Sequence, residues 1–230
     1  MWNGRDLFTV SFTQQLRDSV ADQWDREKAH PFVTGLGDGT LPVRTFRYYM
    51  RQDYVFLIGF CRAVALATGK ADRLDDMSFF ARLLDETLNT EMALHVSFCA
   101  DFGITEAELL ATVPSLTTTA YVDHLVTTAN AGSVQAAAAI LPCSWGYAEI
   151  GRTLLDRGLP ESQPLYGRWI AMYASPEFAG LVEWLRGYLD RSAEGMSEDG
   201  RRRVAEIFEV SSRYEYMFWD AAYRLEGKNP

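Results

Sequence analysis

A thiol and two carboxylates stand at positions of this chain where the hydrophobic pattern calls for apolar side chains. Cys143 shares a helical face with Ile140, Tyr147, Ile150 and Leu154. Asp53 interrupts the stripe Phe46, Tyr49, Met50, Phe56, Leu57, Phe60 and Val64, and Glu215 interrupts Val204, Ile207, Phe208, Ser211, Phe218 and Ala222. Burying a carboxylate is costly unless it is paired or hydrogen-bonded, and neither stripe carries an Arg or Lys beside the acid. Two readings stay open for each acid. It lines a cavity, or it caps a buried amide or meets Arg51, Arg62 or Arg213 from a neighbouring helix. Several acids and a thiol converging on one core favour the cavity.

Cys143 follows Pro142 inside a helical run from Ser133 to Arg157. Proline has no amide hydrogen and crowds the carbonyl of Ala138, so the helix is expected to kink or restart there. Cys143 would then lie in a first turn, where free amides and the helix dipole lower a thiol pKa and favour the nucleophilic thiolate. The competing reading is a small, inert core residue, the assignment given to Cys61 and Cys99. Tyr147, one turn on, reaches whatever the thiol reaches. Glu215, set among Tyr214, Tyr216, Phe218 and Trp219, is expected to hold its proton and act as an acid near neutral pH. Asp53 is expected to stay ionised by accepting hydrogen bonds from a ligand amine. Glu91 and His95, spaced i,i+4 on a stripe with Met77, Phe80, Leu84, Leu88 and Phe98, are either a chelating pair or partners in a buried hydrogen bond. No second such pair accompanies them, which favours the hydrogen bond. His30 and His124 read as helix-end or surface residues.

Helical periodicity must position these groups. Turn signals at Pro31–Gly39, Gly69, Gly103, Pro114, Gly132, Gly158–Pro160, Pro176 and Gly195–Gly200 divide the chain into seven to nine helices. Tyr121–Thr128 is the one short β-leaning run. No linker, repeat or shift of composition marks a boundary, so the expectation is an all-α, single-domain helical bundle over residues 1–230. Hydrophobic residues make up 48% of the chain, enough for a sizeable core, and aromatics 13%, which suits a pocket gripping a flat ligand. A net charge of -9, with Arg201–Arg203 the single basic run, argues against nucleic acid. No apolar run approaches the roughly 18 residues of a membrane helix. Met1–Leu16 lacks the build of a secretory signal, which points to the cytoplasm, and three cysteines without paired spacings suit reduced thiols.

Four blocks go further: Gln52-Asp53-Tyr54; Leu141-Pro142-Cys143-Ser144-Trp145-Gly146-Tyr147; Tyr173-Ala174-Ser175 before Pro176-Glu177-Phe178; and Ser211 through Asp220, with Tyr214-Glu215-Tyr216-Met217-Phe218-Trp219 at its heart. Together they resemble the TenA/thiaminase II family over almost the whole chain. The resemblance implies a haem-oxygenase-like bundle without haem, a homotetramer, and an activity in thiamin salvage. That activity releases hydroxymethyl pyrimidine from thiamin or deaminates aminomethyl pyrimidine. By the matching motifs, Cys143 would be the nucleophile and Glu215 the proton donor. Asp53 and Tyr147 would bind the aminopyrimidine, Phe56 would stack on it, and Tyr121 and Tyr173 would complete the pocket. Such chemistry requires no metal or organic cofactor. Cys143 also places the chain with the members of the family that have the cysteine. Two rivals on the same scaffold are a di-metal oxidase built on Glu91 and His95, and a regulator that binds a pyrimidine without turning it over.

Overall fold

Every position from Ala136 to Tyr147 is buried, and this stretch is the axis on which the molecule is built. A helix apolar on all sides belongs inside a bundle. The computed structural model describes residues 10–227, so most of the reading of Met1–Leu16 falls outside the described residues. Among those described, the regular elements are α1 (Phe12–Ser19), α2 (Ala21–Lys28), α3 (Pro31–Gly37), α4 (Val43–Lys70), α5 (Leu74–Glu86), a π turn (Thr87–Glu91), α6 (Met92–Asp101), α7 (Glu106–Leu110), α8 (Leu116–Ala129), α9 (Ser133–Arg157), α10 (Pro164–Tyr173), α11 (Pro176–Glu194) and α12 (Glu198–Arg224). No strand occurs among them. Helix α9 is packed on by α4, α8, α10, α11 and α12. The small side chains Ala136–Ala139 let these neighbours approach closely.

Three sequence expectations need correction. The helices outnumber the seven to nine expected, because the segment before α4 is cut into three short pieces. Pro31 opens α3 at its first turn instead of breaking the chain, and His30 caps that helix by accepting from the Phe32 amide at 3.1 Å. The stripe from Met77 to Phe98 does not lie on one continuous helix. Met77 lies off the buried face of α5, which is Asp76, Phe80 and Leu83, and the π turn adds one residue to the register, so Leu88 is exposed while His95 and Cys99 beyond it are buried. The β-leaning Tyr121–Thr128 forms the body of α8, whose first turn is capped by Ser115.

The three long helices keep the faces that the pattern assigned to them. Every member of the α4 stripe from Phe46 to Val64 is buried, and so are Ile140, Cys143, Tyr147, Ile150 and Leu154 on α9. On α12 all named members of the stripe are buried except the half-buried Ile207. Two glycines set the spacing. A Cβ on Gly59 of α4 would come within 2.5 Å of Val122 on α8, and one on Gly151 of α9 would come within 2.8 Å of the Tyr173 backbone at the end of α10.

Candidate active site

Asp53 and Phe56 on α4, Cys143 and Tyr147 on α9, and Tyr173 on α10 face one cavity of about 50 Å³. Leu57, Phe60, Leu83, Glu91, Ser144, Phe178 and Leu181 complete its wall. Of the residues the sequence nominated, Glu215 and Tyr121 stand outside this lining. They form a buried pair: the Tyr121 hydroxyl donates to Glu215 Oε1. The pair is near enough to the thiol that Glu215 bears electrostatically on Cys143 and Cys143 on Tyr121. The Phe56 and Tyr121 rings, 4.9 Å apart, join it to the cavity wall.

The thiol's setting differs from the one expected. Helix α9 continues through Pro142 without a restart, with helices packed around it, so Cys143 lies in mid-helix with no free amides beside it. Its Sγ donates to the Ile140 carbonyl at 2.9 Å. Burial, and after it the charge of Glu215, pushes the thiol well above its ordinary range. At rest it is a protonated thiol. Glu215 behaves as its aromatic neighbourhood suggested. Burial and then Glu27 hold its pKa well up, and the Tyr121 hydrogen bond opposes them.

The ionised form expected of Asp53 depends on a ligand amine at its carboxyl. Burial, followed by the charge of Glu91, pushes it up to about 8, so it is a carboxylic acid in the unliganded pocket near neutral pH. None of the arginines considered for the acids reaches them. Arg51 pairs with Glu108 at 3.1 Å, Arg213 with Glu209, and Arg62 is exposed. The group that meets Asp53 is His95, with Nδ1 3.5 Å from Oδ2, while its Nε2 lies 2.9 Å from the Met50 carbonyl. His95 is thus held in a buried hydrogen bond, but its partner is the Met50 carbonyl on α4 and not Glu91, whose carboxyl is hydrogen-bonded to Thr87 instead. Among the described residues no three His, Cys, Asp or Glu side chains are grouped so as to hold a metal ion, which leaves the di-metal reading without a ligand set.

Several members of the site escaped sequence reasoning. Tyr49, one turn before Asp53 on its own stripe, donates its hydroxyl to that of Tyr147 at 3.3 Å, and its ring stacks on Trp219. The stripe held that signal, but it looked like ordinary core. Glu27 on α2 is buried and accepts from Trp219 Nε1 at 2.8 Å, and burial pushes it up to about 7. A lone acid in a charged segment gave no hint of this. His30 caps a helix as expected, whereas His124 is half-buried, with Nε2 2.9 Å from the Ser211 hydroxyl.

A family model described as TENA/THI-4/PQQC matches residues 17–225. The chain belongs to the TENA/THI-4/PQQC family. A protein of Halalkalibacterium halodurans named aminopyrimidine aminohydrolase is 42% identical over 217 residues, which span 93% of this chain and 96% of that relative. The solved structure of a TenA homologue from P. horikoshii superposes with a TM-score of 0.87 at 32% identity, covering 94% of this chain and 99% of that one. A structure from Shewanella denitrificans, described as having a heme oxygenase-like fold, matches with a TM-score of 0.73 at 17% identity over 93% of this chain and 92% of its own. The fold is haem-oxygenase-like, as the sequence blocks implied. No helix among the described residues is long and apolar enough to cross a membrane.

Proposed function

We propose that this chain is an aminopyrimidine aminohydrolase of thiamin salvage, a hydrolase of C–N bonds that converts aminomethyl pyrimidine, or thiamin, to hydroxymethyl pyrimidine. The observation that carries this reading is the cavity itself, where a buried thiol meets an acid, aromatic rings and tyrosine hydroxyls, with a second buried acid close behind. The reading draws further support from the aminohydrolase name of the Halalkalibacterium halodurans relative.

In this reading Cys143 is the nucleophile and Glu215 the acid. A pyrimidine carbon accepts a nucleophile only when a ring nitrogen is protonated, and a carboxyl held protonated by burial suits that task. The thiol proton passes to the free aminomethyl nitrogen of the substrate. Sγ then bonds to the ring carbon while Glu215 protonates the ring nitrogen. Ammonia leaves the exocyclic methylene and water adds there. The S–C bond then breaks, the ring proton returns to Glu215, and the proton lost by the water restores the thiol. Asp53 and Tyr147 hold the aminopyrimidine, Phe56 stacks on it, and Tyr121 and Tyr173 complete the pocket, supplying proximity. Phe178 and Leu181 on α11, both half-buried, close one side of the cavity. The homotetramer and the cytoplasmic setting implied by the resemblance belong to the same proposal.

Incubating the purified protein with aminomethyl pyrimidine and, separately, with thiamin tests the reading. Hydroxymethyl pyrimidine is the expected product. Binding of aminomethyl pyrimidine without turnover would instead make the protein a pyrimidine-binding regulator.

A further inference from the structure

Met50 and Asp53 lie one turn apart on α4, and the His95 ring, reaching across from α6, touches both. A carbonyl oxygen can only accept, so at 2.9 Å from Met50 O the Nε2 atom carries a hydrogen. That fixes the tautomer: in a neutral ring Nδ1 presents its lone pair to Asp53 Oδ2, 3.5 Å away. At 3.5 Å the two atoms are in ion-pair reach without a formed hydrogen bond, and one proton, on the acid or on the ring, makes the contact favourable. Asp53 lines the cavity, whereas His95 stands behind it. With Oδ2 committed to the ring, Oδ1 is the oxygen left for a ligand.

We propose that His95 is a positioning residue for substrate: anchored on the Met50 carbonyl, it holds Asp53 Oδ2 at Nδ1 and leaves Oδ1 for the exocyclic ring amine of the pyrimidine. This inference rests on the aminohydrolase reading above. In the resting pocket the shared proton sits on Asp53, since burial pushes the imidazole down to about 4 while the acid is held up at about 8. An amine hydrogen arriving at Oδ1 favours the carboxylate. The proton on Oδ2 then passes to Nδ1, giving a carboxylate against an imidazolium with no change in net charge, and it returns when product leaves. The other titratable groups bearing on Asp53 or influenced by it are the carboxyls of Glu91 and Glu215, the hydroxyls of Tyr49, Tyr147 and Tyr173, and the thiols of Cys99 and Cys143. All of them are neutral or negative, so among these groups the imidazole alone can take a proton and become a cation beside Asp53.

His95→Gln tests the idea, because the Gln amide can still donate to the Met50 carbonyl but offers nothing at the position of Nδ1. Binding of hydroxymethyl pyrimidine, and of its counterpart lacking the ring amine, is measured by calorimetry on the full chain, with thermal melting to show that the fold is kept. The expected result is about a tenfold loss for the amine-bearing compound and none for the other, with no further loss when His95→Gln is added to Asp53→Asn. Equal losses for both compounds, additive losses with Asp53→Asn, or no loss at all would overturn the proposal. If His95→Gln does not fold, His95→Asn, which keeps an amide near the place of Nδ1, is expected to hold the amine-bearing compound nearly as tightly as the wild type, and a selective loss of about tenfold for that compound would overturn the proposal. Failure of the wild type to turn over aminomethyl pyrimidine would count against the aminohydrolase reading instead, which separates the two.

Discussion

Cys143 Sγ donates to the carbonyl of Ile140, one turn back on the same helix, at 2.9 Å. In the proposed mechanism, in which this thiol is the nucleophile, the contact keeps it protonated and unreactive until substrate arrives. Cys143→Ala removes the reacting atom and little volume. We expect turnover of aminomethyl pyrimidine to fall by at least about a thousandfold, while the unfolding midpoint moves by no more than about 1 kcal/mol in free energy. Cys143→Ser should be equally inactive, because a serine hydroxyl in that place is harder still to deprotonate. Product analysis alongside urea melts checks both, and turnover retained in Cys143→Ala would remove the thiol from the mechanism.

Glu215 and Tyr121 can be separated by their opposite effects. Glu215→Gln keeps an acceptor for the Tyr121 hydroxyl but cannot give up a proton, so kcat should drop about a hundredfold or more with KM nearly unchanged. Tyr121→Phe deletes a hydrogen bond that lowers the Glu215 pKa, against burial and Glu27 that raise it. Without that bond the carboxyl keeps its proton to higher pH. The alkaline limb of kcat/KM in Tyr121→Phe should therefore move upward, and a move downward would show that the ionised form of Glu215 is the active one.

Glu27 gives a prediction about stability. Burial, opposed by the Trp219 hydrogen bond, raises its pKa from 4.5 to about 7 in the folded chain, so ionising it costs more folded than unfolded. A group with a raised folded pKa contributes its stability fully below the unfolded value and loses it as pH rises through the folded one. The loss for Glu27 thus falls between about pH 4.5 and 7 and amounts to roughly 3 kcal/mol. Glu27→Gln, which can still accept from Trp219, should match the wild type at pH 4 and exceed it at pH 9. Urea midpoints at the two pH values measure the difference, and equal midpoints at pH 9 would place the Glu27 pKa near its ordinary value.

What the sequence disclosed about this molecule follows from the range of the forces involved. Helices α4, α9 and α12 were legible with their inward acids and thiol, because a stripe at 3.6-residue spacing records burial directly, and the bounds Ser133–Arg157 are those of α9. The setting of Cys143 was not. A proline disfavours a helix locally, yet neighbours packed around α9 keep it continuous, and no window of sequence contains those neighbours. The π turn after α5 was hidden for a similar reason, since one added residue shifts a register without changing its composition. Pairings such as Tyr121 with Glu215 and His95 with Met50 join segments far apart in the chain, which periodicity does not address.

Gly151 connects the packing of the bundle to the pocket. A Cβ there would come within 2.8 Å of the Tyr173 carbonyl carbon and 2.9 Å of the Ala174 nitrogen, and these are backbone atoms that no rotamer change can move aside. Gly151→Ala must therefore displace the end of α10 from α9. Overpacking of this kind costs about 1 to 3 kcal/mol. The displaced residue, Tyr173, lines the cavity, and its ring lies 4.8 Å from that of Tyr147. We expect Gly151→Ala to lower the unfolding midpoint and to raise KM for aminomethyl pyrimidine several-fold, with a smaller effect on kcat because Cys143 and Glu215 lie on other segments. Gly59→Ala meets the β-branched Val122 side chain across α4 and α8 instead, at a contact remote from Tyr173. It should lower stability without the change in KM, so measuring both constants for the two variants distinguishes a distorted pocket from a merely weakened fold.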